Sequence, residues 1–393
     1  MSTTDSHDRK NSHPGDRMSM PENHLDMVVT PGSIEPERRA SMRTTIIAVV
    51  AMPLFFLLAF TICYVSASHA PTPHDMALTI AGPATTTAQI ADSIEDEADG
   101  AFTVTETTSA AKARDAVENR DAVGAIVVDG ADVTTVIASG GGRLASAVIQ
   151  SAGSQVAAQL GGTSTVEDVA PLPSDDPGGS VLFFFLVICT VGAFLTITAI
   201  SQVFPKARTR SLVASAVGAA LFVPVIGFSM ISLFVDFGAT FGTTMAVIGV
   251  GMIYAFTVGI LATLFTKLAG QGGIFLVILF LIALNFPGAG GSAPESMLPP
   301  FWQVIHNSWL GSGAFESMRS ILFFGGEGMG RWITQLLVWT VVGIVLTALV
   351  AVVKKRGAAR AEAEAPVAEQ PVTGGGTTEA AVVPETALTH NGA

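Results

Sequence analysis

Chemistry needs titratable or nucleophilic groups at fixed spacing, and this chain offers few. Its histidines are His7, His13, His24, His69, His74, His306 and His390, and none stands at ligand spacing from a cysteine, so no metal site is expected. Cys63 and Cys189 each lie inside an apolar run and read as small buried hydrophobes. The densest carboxylate group, Glu95, Asp96, Glu97 and Asp99, lacks the alternating Asp/Asn and Gly of a calcium loop and reads as a solvated helix end. No Gly-Lys dipeptide occurs, which excludes a Walker A phosphate loop, and His-Glu-x-x-His and Gly-x-Ser-x-Gly are also absent. With no catalytic constellation and no cofactor motif, the chain is expected not to be an enzyme by itself.

The positioning elements are apolar. Of 393 residues 49% are hydrophobic and only 13% charged, where soluble domains average roughly 25% charged, and the mean hydropathy is +0.54. A net charge of -12 argues against nucleic acid as a partner. Six apolar runs stand at 46–66, 181–201, 212–235, 244–265, 274–286 and 332–353. About 20 residues at about 1.5 Å each cross a hydrocarbon core of about 30 Å. The fifth run is short, ended by Pro287 and Gly288, and needs help from a partly inserted neighbour. No Asp, Glu, Lys, Arg or His lies inside the six runs. Ion-coupled pumps and proton relays depend on such residues, so energy for any uphill movement must come from another subunit.

Basic flanks orient the spans. Arg38, Arg39 and Arg43 precede the first, Lys206, Arg208 and Arg210 follow the second, Lys267 follows the fourth, and Lys354, Lys355, Arg356 and Arg360 follow the sixth. All fall on one side if six spans alternate, which makes both termini cytoplasmic in a cell-membrane protein. The fold class is an α-helical polytopic membrane protein of six transmembrane helices with a small extracytoplasmic α/β domain. Its parts are a disordered cytoplasmic tail at 1–43, a first transmembrane helix at 44–66, the α/β domain at 67–179, a five-helix region at 180–353 with a re-entrant or interfacial segment at 287–331, and a disordered cytoplasmic tail at 354–393. Residues 35–41 are a candidate short helix on the inner leaflet or a solvated basic flank. Ser68-His69-Ala70 loosely fits a signal cleavage site, but the long leader favours an uncleaved anchor.

Residues 67–179 carry sixteen Asp/Glu against Lys112, Arg114, Arg120 and Arg143. Strands are expected at 77–80, 102–107, 124–128 and 133–138, with Asp129-Gly130 turning the last two into a hairpin. Helices are expected at 87–98, 110–118 and 143–160, and residues 171–179 read as a linker.

Residues 287–331 hold two short amphipathic helices. Pro299 and Pro300 open the first, which places Phe301, Trp302, Ile305 and Trp309 on one face. The second has the stripe Ala314, Phe315, Met318, Ile321 and Leu322, with Glu316 and Arg319 spaced to pair. Tryptophans suit a membrane–water boundary. Phe301, Trp302, Trp309, Glu316 and Arg319 are therefore candidates for an outer gate, against the plainer reading of a loop resting on lipid.

One span, a large outer domain, five further spans, and Gly290, Gly291, Leu298, Pro299, Phe301, Arg319, Phe323, Phe324 and Gly325 before the last resemble ABC-2-type transporter permeases. The similarity is to the phage-infection-protein-like branch, with its outer domain after the first span. The resemblance implies an exporter subunit that moves an apolar or amphipathic substrate, pairs as a homodimer or heterodimer, contacts membrane lipid, and docks a separate ATPase that binds the ATP. It also implies a coupling loop at 202–211, with Pro205, Lys206, Arg208 and Arg210, although orientation alone accounts for those charges. The alternative is a multi-pass surface receptor or scaffold whose outer domain binds a partner without transport.

Overall fold

The computed structural model describes residues 35–98, 100–291 and 293–364. The chain divides into two compact units, 1–54 and 55–393. The described part of the first unit is the beginning of helix α1 (Glu35–Ser68). The expected tail at 1–43 therefore ends sooner, at least from Glu35 onward, and its residues 1–34 lie outside the described residues. Glu35, Pro36 and Glu37 favour a helix start by charge and fixed φ, and no β-branched residue intervenes before Thr44.

The second unit contains a five-stranded sheet built from β1 (Met76–Ala81), α2 (Ala84–Glu97), β2 (Phe102–Thr107), α3 (Ala110–Glu118), β3 (Gly124–Asp129), β4 (Asp132–Ile137), α4 (Arg143–Leu160) and β5 (Ser164–Asp168). Strand order is β2-β1-β3-β4-β5. Only the β3–β4 pair is antiparallel, with Asp129 opposite Asp132 and Gly130 at φ 67 in the two-residue turn. Alternation sorts the two faces. Leu78, Ile80, Ile126, Val133 and Ile137 meet Ile90 of α2 and Ile149 and Val156 of α4. Ala125 and Val136 face Ala113 and Val117 of α3 on the other side. Strand β5 falls between the expected 143–160 helix and the 171–179 linker, where no element is expected: its Ser164–Asp168 sequence is exposed to half-buried and has no apolar alternation, and its place comes from pairing with β4.

The rest is helical. Among the described residues five helices are long and apolar enough to cross a membrane: the 50–68 part of α1, then α5 (Val181–Val203), α6 (Thr209–Ile231), α7 (Phe241–Ala269) and the 329–360 part of α12 (Met329–Glu364). Between α7 and α12 lies an apolar stretch, Gly273–Gly288, of α8 (Gly273–Leu276), a π-helical segment Val277–Ala283 and α9 (Asn285–Gly288). At about 1.5 Å per residue it is roughly 24 Å long, short of a bilayer core, so the expected fifth span is the one that falls below spanning length. Then come α10 (Pro300–His306) and α11 (Leu310–Phe323). The expected disorder from residue 354 is replaced by helix as far as Glu364, through Ala, Lys, Arg and Glu residues that favour it; residues 365–393 lie outside the described residues.

Helix α7 is the hub of the helical core, and small residues let neighbours close on it. A Cβ at Gly259 would lie 2.8 Å from the Ala216 Cβ, and one at Gly251 would meet Phe185 at 3.0 Å. Polar groups inside pair across helices: Thr190 Oγ1 lies 2.6 Å from Tyr254 Oη, and Asn285 Nδ2 donates to the same oxygen at 2.7 Å.

Candidate functional site

The sequence reads helix α11 as amphipathic, with one apolar stripe and a Glu316–Arg319 spacing suited to a pair. In the structure every residue from Leu310 to Ser320 is buried. Its apolar side joins the core through Leu310, Ala314, Phe315 and Met318. Its polar side meets the α/β domain, where one carboxylate is shared between two arginines.

Glu316 is the centre. Arg319 Nη1 donates to its Oε1 at 2.5 Å, and Arg120 Nη2 to its Oε2 at 2.5 Å. Side-chain exposure is 2% for Glu316, 3% for Arg319 and 18% for Arg120. Arg120 comes from the turn after α3, where its φ of 66 puts a non-glycine residue in the left-handed region. It also donates to Ser320 Oγ and lies 5.0 Å from the centre of the Phe324 ring. Arg319 donates to the Gly291 carbonyl and sits 4.4 Å from the centre of the Phe315 ring. Burial works to raise the Glu316 pKa, but Arg319, Arg120 and His306 outweigh it and hold the carboxyl below its usual range. His306 is itself buried; its Nδ1 lies 2.9 Å from the Gly288 carbonyl, and burial pushes its pKa down.

Three consecutive glycines complete the junction. A Cβ at Gly140 would lie 2.6 Å from Phe323 Cγ, one at Gly141 3.2 Å from Phe324 Cζ, and one at Gly142 2.8 Å from Pro294 Cδ. Phe324 thereby enters the α3 face of the sheet beside Ala113, Val117 and Ala170. Neither Arg120 nor this Gly-Gly-Gly run was singled out as a site from the sequence. The run was a visible signal, since three glycines between a strand and a helix mark a close backbone approach.

A cavity of about 470 Å³ opens beside the ion pairs, with Asp75, Arg120, Glu295, Gln303, His306, Glu316, Arg331 and Trp332 among its walls. Arg331 lies 3.9 Å from Glu295 and 4.4 Å from the centre of the Trp332 ring.

The five residues read as an outer gate do not form one group. Glu316 and Arg319 pair as their spacing suggested. Trp302 is buried, donating from Nε1 to Ser66 Oγ at 3.1 Å and clustering with Ala67 and Leu298. Phe301 touches the Trp302 ring edge but is 62% exposed, so the two do not share a face. Trp309 is not on α10, which ends at His306 after seven residues; it precedes α11 and bonds the Phe280 carbonyl at 3.2 Å. Pro205, Lys206 and Arg208 lie between α5 and α6 and Arg210 in the first turn of α6, all exposed. Lys267, at the end of α7, donates to the Ala207 carbonyl of that loop at 2.7 Å.

Compared with known proteins, the chain matches no family model, no curated protein and no solved structure.

Proposed function

We propose that the chain is the membrane subunit of an ABC-2-type exporter in the cell membrane. In this reading it crosses six times with both termini cytoplasmic, carries its α/β domain outside, pairs with a second permease, and moves an apolar or amphipathic substrate. The Gly273–Gly288 stretch is the fifth crossing, and α11 supplies the buried neighbour that its short length requires. A separate ATPase docks on the exposed loop holding Pro205, Lys206, Arg208 and Arg210 and supplies the energy. No ionisable residue within the six runs offers a route for ion coupling.

The observation that carries the reading is the buried Arg120–Glu316–Arg319 cluster. It ties a water-facing α/β domain to a helix embedded in the apolar core, so a shift of either is felt by the other. A protein that uses its spans only as anchors has no need of this linkage. The receptor reading draws on the cavity beside the cluster, since an α/β domain with a pocket at its base suits ligand capture.

Co-purification tests the reading. A spanless ATPase should be captured by this chain and lost when residues 202–211 are replaced by Gly/Ser. In liposomes, export should require both proteins and ATP. Flux through the isolated chain under an imposed proton or sodium gradient alone would overturn the proposal.

A further inference from the structure

The cavity at the junction, about 470 Å³, falls within the roughly 300–1,000 Å³ of small-molecule sites. Its charges are sorted by depth. At the inner wall Glu316 is shared between Arg120 and, behind it, Arg319, which leaves one positive charge in excess. At the rim the balance reverses, with Asp75 and Glu295 against the single guanidinium of Arg331, whose side chain is 57% exposed. The Asp75 carboxylate has no ion-pair or hydrogen-bond partner among the described residues, and the Arg120 Nε is likewise unused. Helix α10 lines the cavity with Gln303 and His306, while Phe301 and Val304, 62% and 65% exposed, lie on its other faces.

A ligand that complements this pattern carries an anion for the inner guanidinium and an ammonium for the rim carboxylates. Phosphate suits a guanidinium fork. An α-amino acid carries both charges on one carbon and leaves most of the volume empty. We propose that the cavity binds a zwitterionic phosphate head group of the ethanolamine type, its phosphate on Arg120 and its ammonium on Asp75 and Glu295. The same head group exists in a bilayer lipid and in a water-soluble phosphodiester. Binding stands independently of transport, so a chain that fails to export is still expected to bind.

The full chain in nanodiscs of phosphatidylglycerol alone is titrated calorimetrically with sn-glycero-3-phosphoethanolamine. In a second arm, native mass spectrometry reads the lipid retained from an equal mixture of phosphatidylethanolamine and phosphatidylglycerol. Saturable binding of the diester assigns a solute source. Enrichment of phosphatidylethanolamine without diester binding assigns the bilayer, and both together assign a head-group site open to either. Asp75→Asn, at an exposed position whose fold is checked by circular dichroism, should weaken whichever binding is seen about tenfold. Binding in neither arm, indifference to Asp75→Asn, or equally tight binding of sn-glycerol 3-phosphate overturns the proposal.

Discussion

Arg120 and Glu316 stand 196 positions apart in the chain and meet at 2.5 Å, the α/β domain reaching a carboxylate on a helix buried through its first three turns. The arrangement differs from a lone buried ion pair. Glu316 keeps Arg319 from its own helix at 2.5 Å, so releasing Arg120 leaves no orphaned buried charge. That lowers the cost of separating domain and helix while leaving the attachment specific.

This asymmetry sets an order of effects. Arg319→Ala leaves Glu316 only the part-exposed Arg120 and also strands the Gly291 carbonyl, and should cost about 3–5 kcal/mol, a charge-assisted bond lost together with an unsatisfied carbonyl. Arg120→Ala leaves Glu316 paired and should cost about 1–3 kcal/mol. Denaturant unfolding in detergent measures both, and a greater loss from Arg120→Ala than from Arg319→Ala contradicts the assigned roles.

Acid should loosen the junction in two steps. Burial lowers the His306 pKa, so the unfolded chain takes up a proton first, and stability falls as pH drops below about 6.5. Glu316 is held below its usual range against the opposing effect of burial, so its contribution is present above about 4.3 and is lost as pH falls further, through its folded value. Unfolding midpoints from pH 8 to 3 should show His306→Gln flattening the upper part of this decline and Glu316→Gln the lower part. An unchanged profile in both variants would rule out titration at the junction.

The glycine platform should be intolerant of bulk. A Cβ at Gly140 meets Phe323 Cγ at 2.6 Å and the Ala170 carbonyl oxygen at 2.9 Å, and neither a ring base nor backbone yields cheaply. Gly140→Ala should cost about 1–3 kcal/mol as overpacking does, and Phe323→Ala should recover only part of it because the Ala170 contact persists. Limited proteolysis of the α/β domain in the full chain reads the effect, and wild-type resistance in Gly140→Val would contradict it.

Local pattern carried most of the fold. Short β-rich runs placed β1, β3 and β4 and alternation placed β2, Asp129-Gly130 placed the hairpin, and apolar length placed α5, α6 and α7 within a few residues. Strand β5 escaped because an exposed edge strand needs no apolar alternation. Within the site, the Glu316–Arg319 pair was legible because both residues lie on one helix at a spacing of three. Arg120 was not, since an arginine in an acidic domain looks like any surface charge until the fold delivers it. Trp309 was misplaced for a related reason: helical periodicity was extended past Asn307, where α10 stops.

The Gly273–Gly288 stretch decides the count of crossings, and parity can settle it. Three single thiols are introduced in a chain lacking Cys63 and Cys189, at Thr108 in the α/β domain, at Arg208 in the α5–α6 loop and at Ala358 in α12 just after Lys354, Lys355 and Arg356, all exposed positions. If the stretch crosses, Arg208 and Ala358 lie on the same side, since four crossings separate them, and Thr108 lies on the other. If it only dips into the bilayer and returns, Ala358 changes sides and labels together with Thr108. The basic flanks Lys206, Arg208, Arg210, Lys354, Lys355 and Arg356 favour the first outcome, because retention of Lys and Arg on the cytoplasmic side then applies to both ends at once. An impermeant maleimide applied to whole cells should therefore label Thr108→Cys alone, and labelling of Ala358→Cys from outside would reduce the chain to five crossings with its termini on opposite sides.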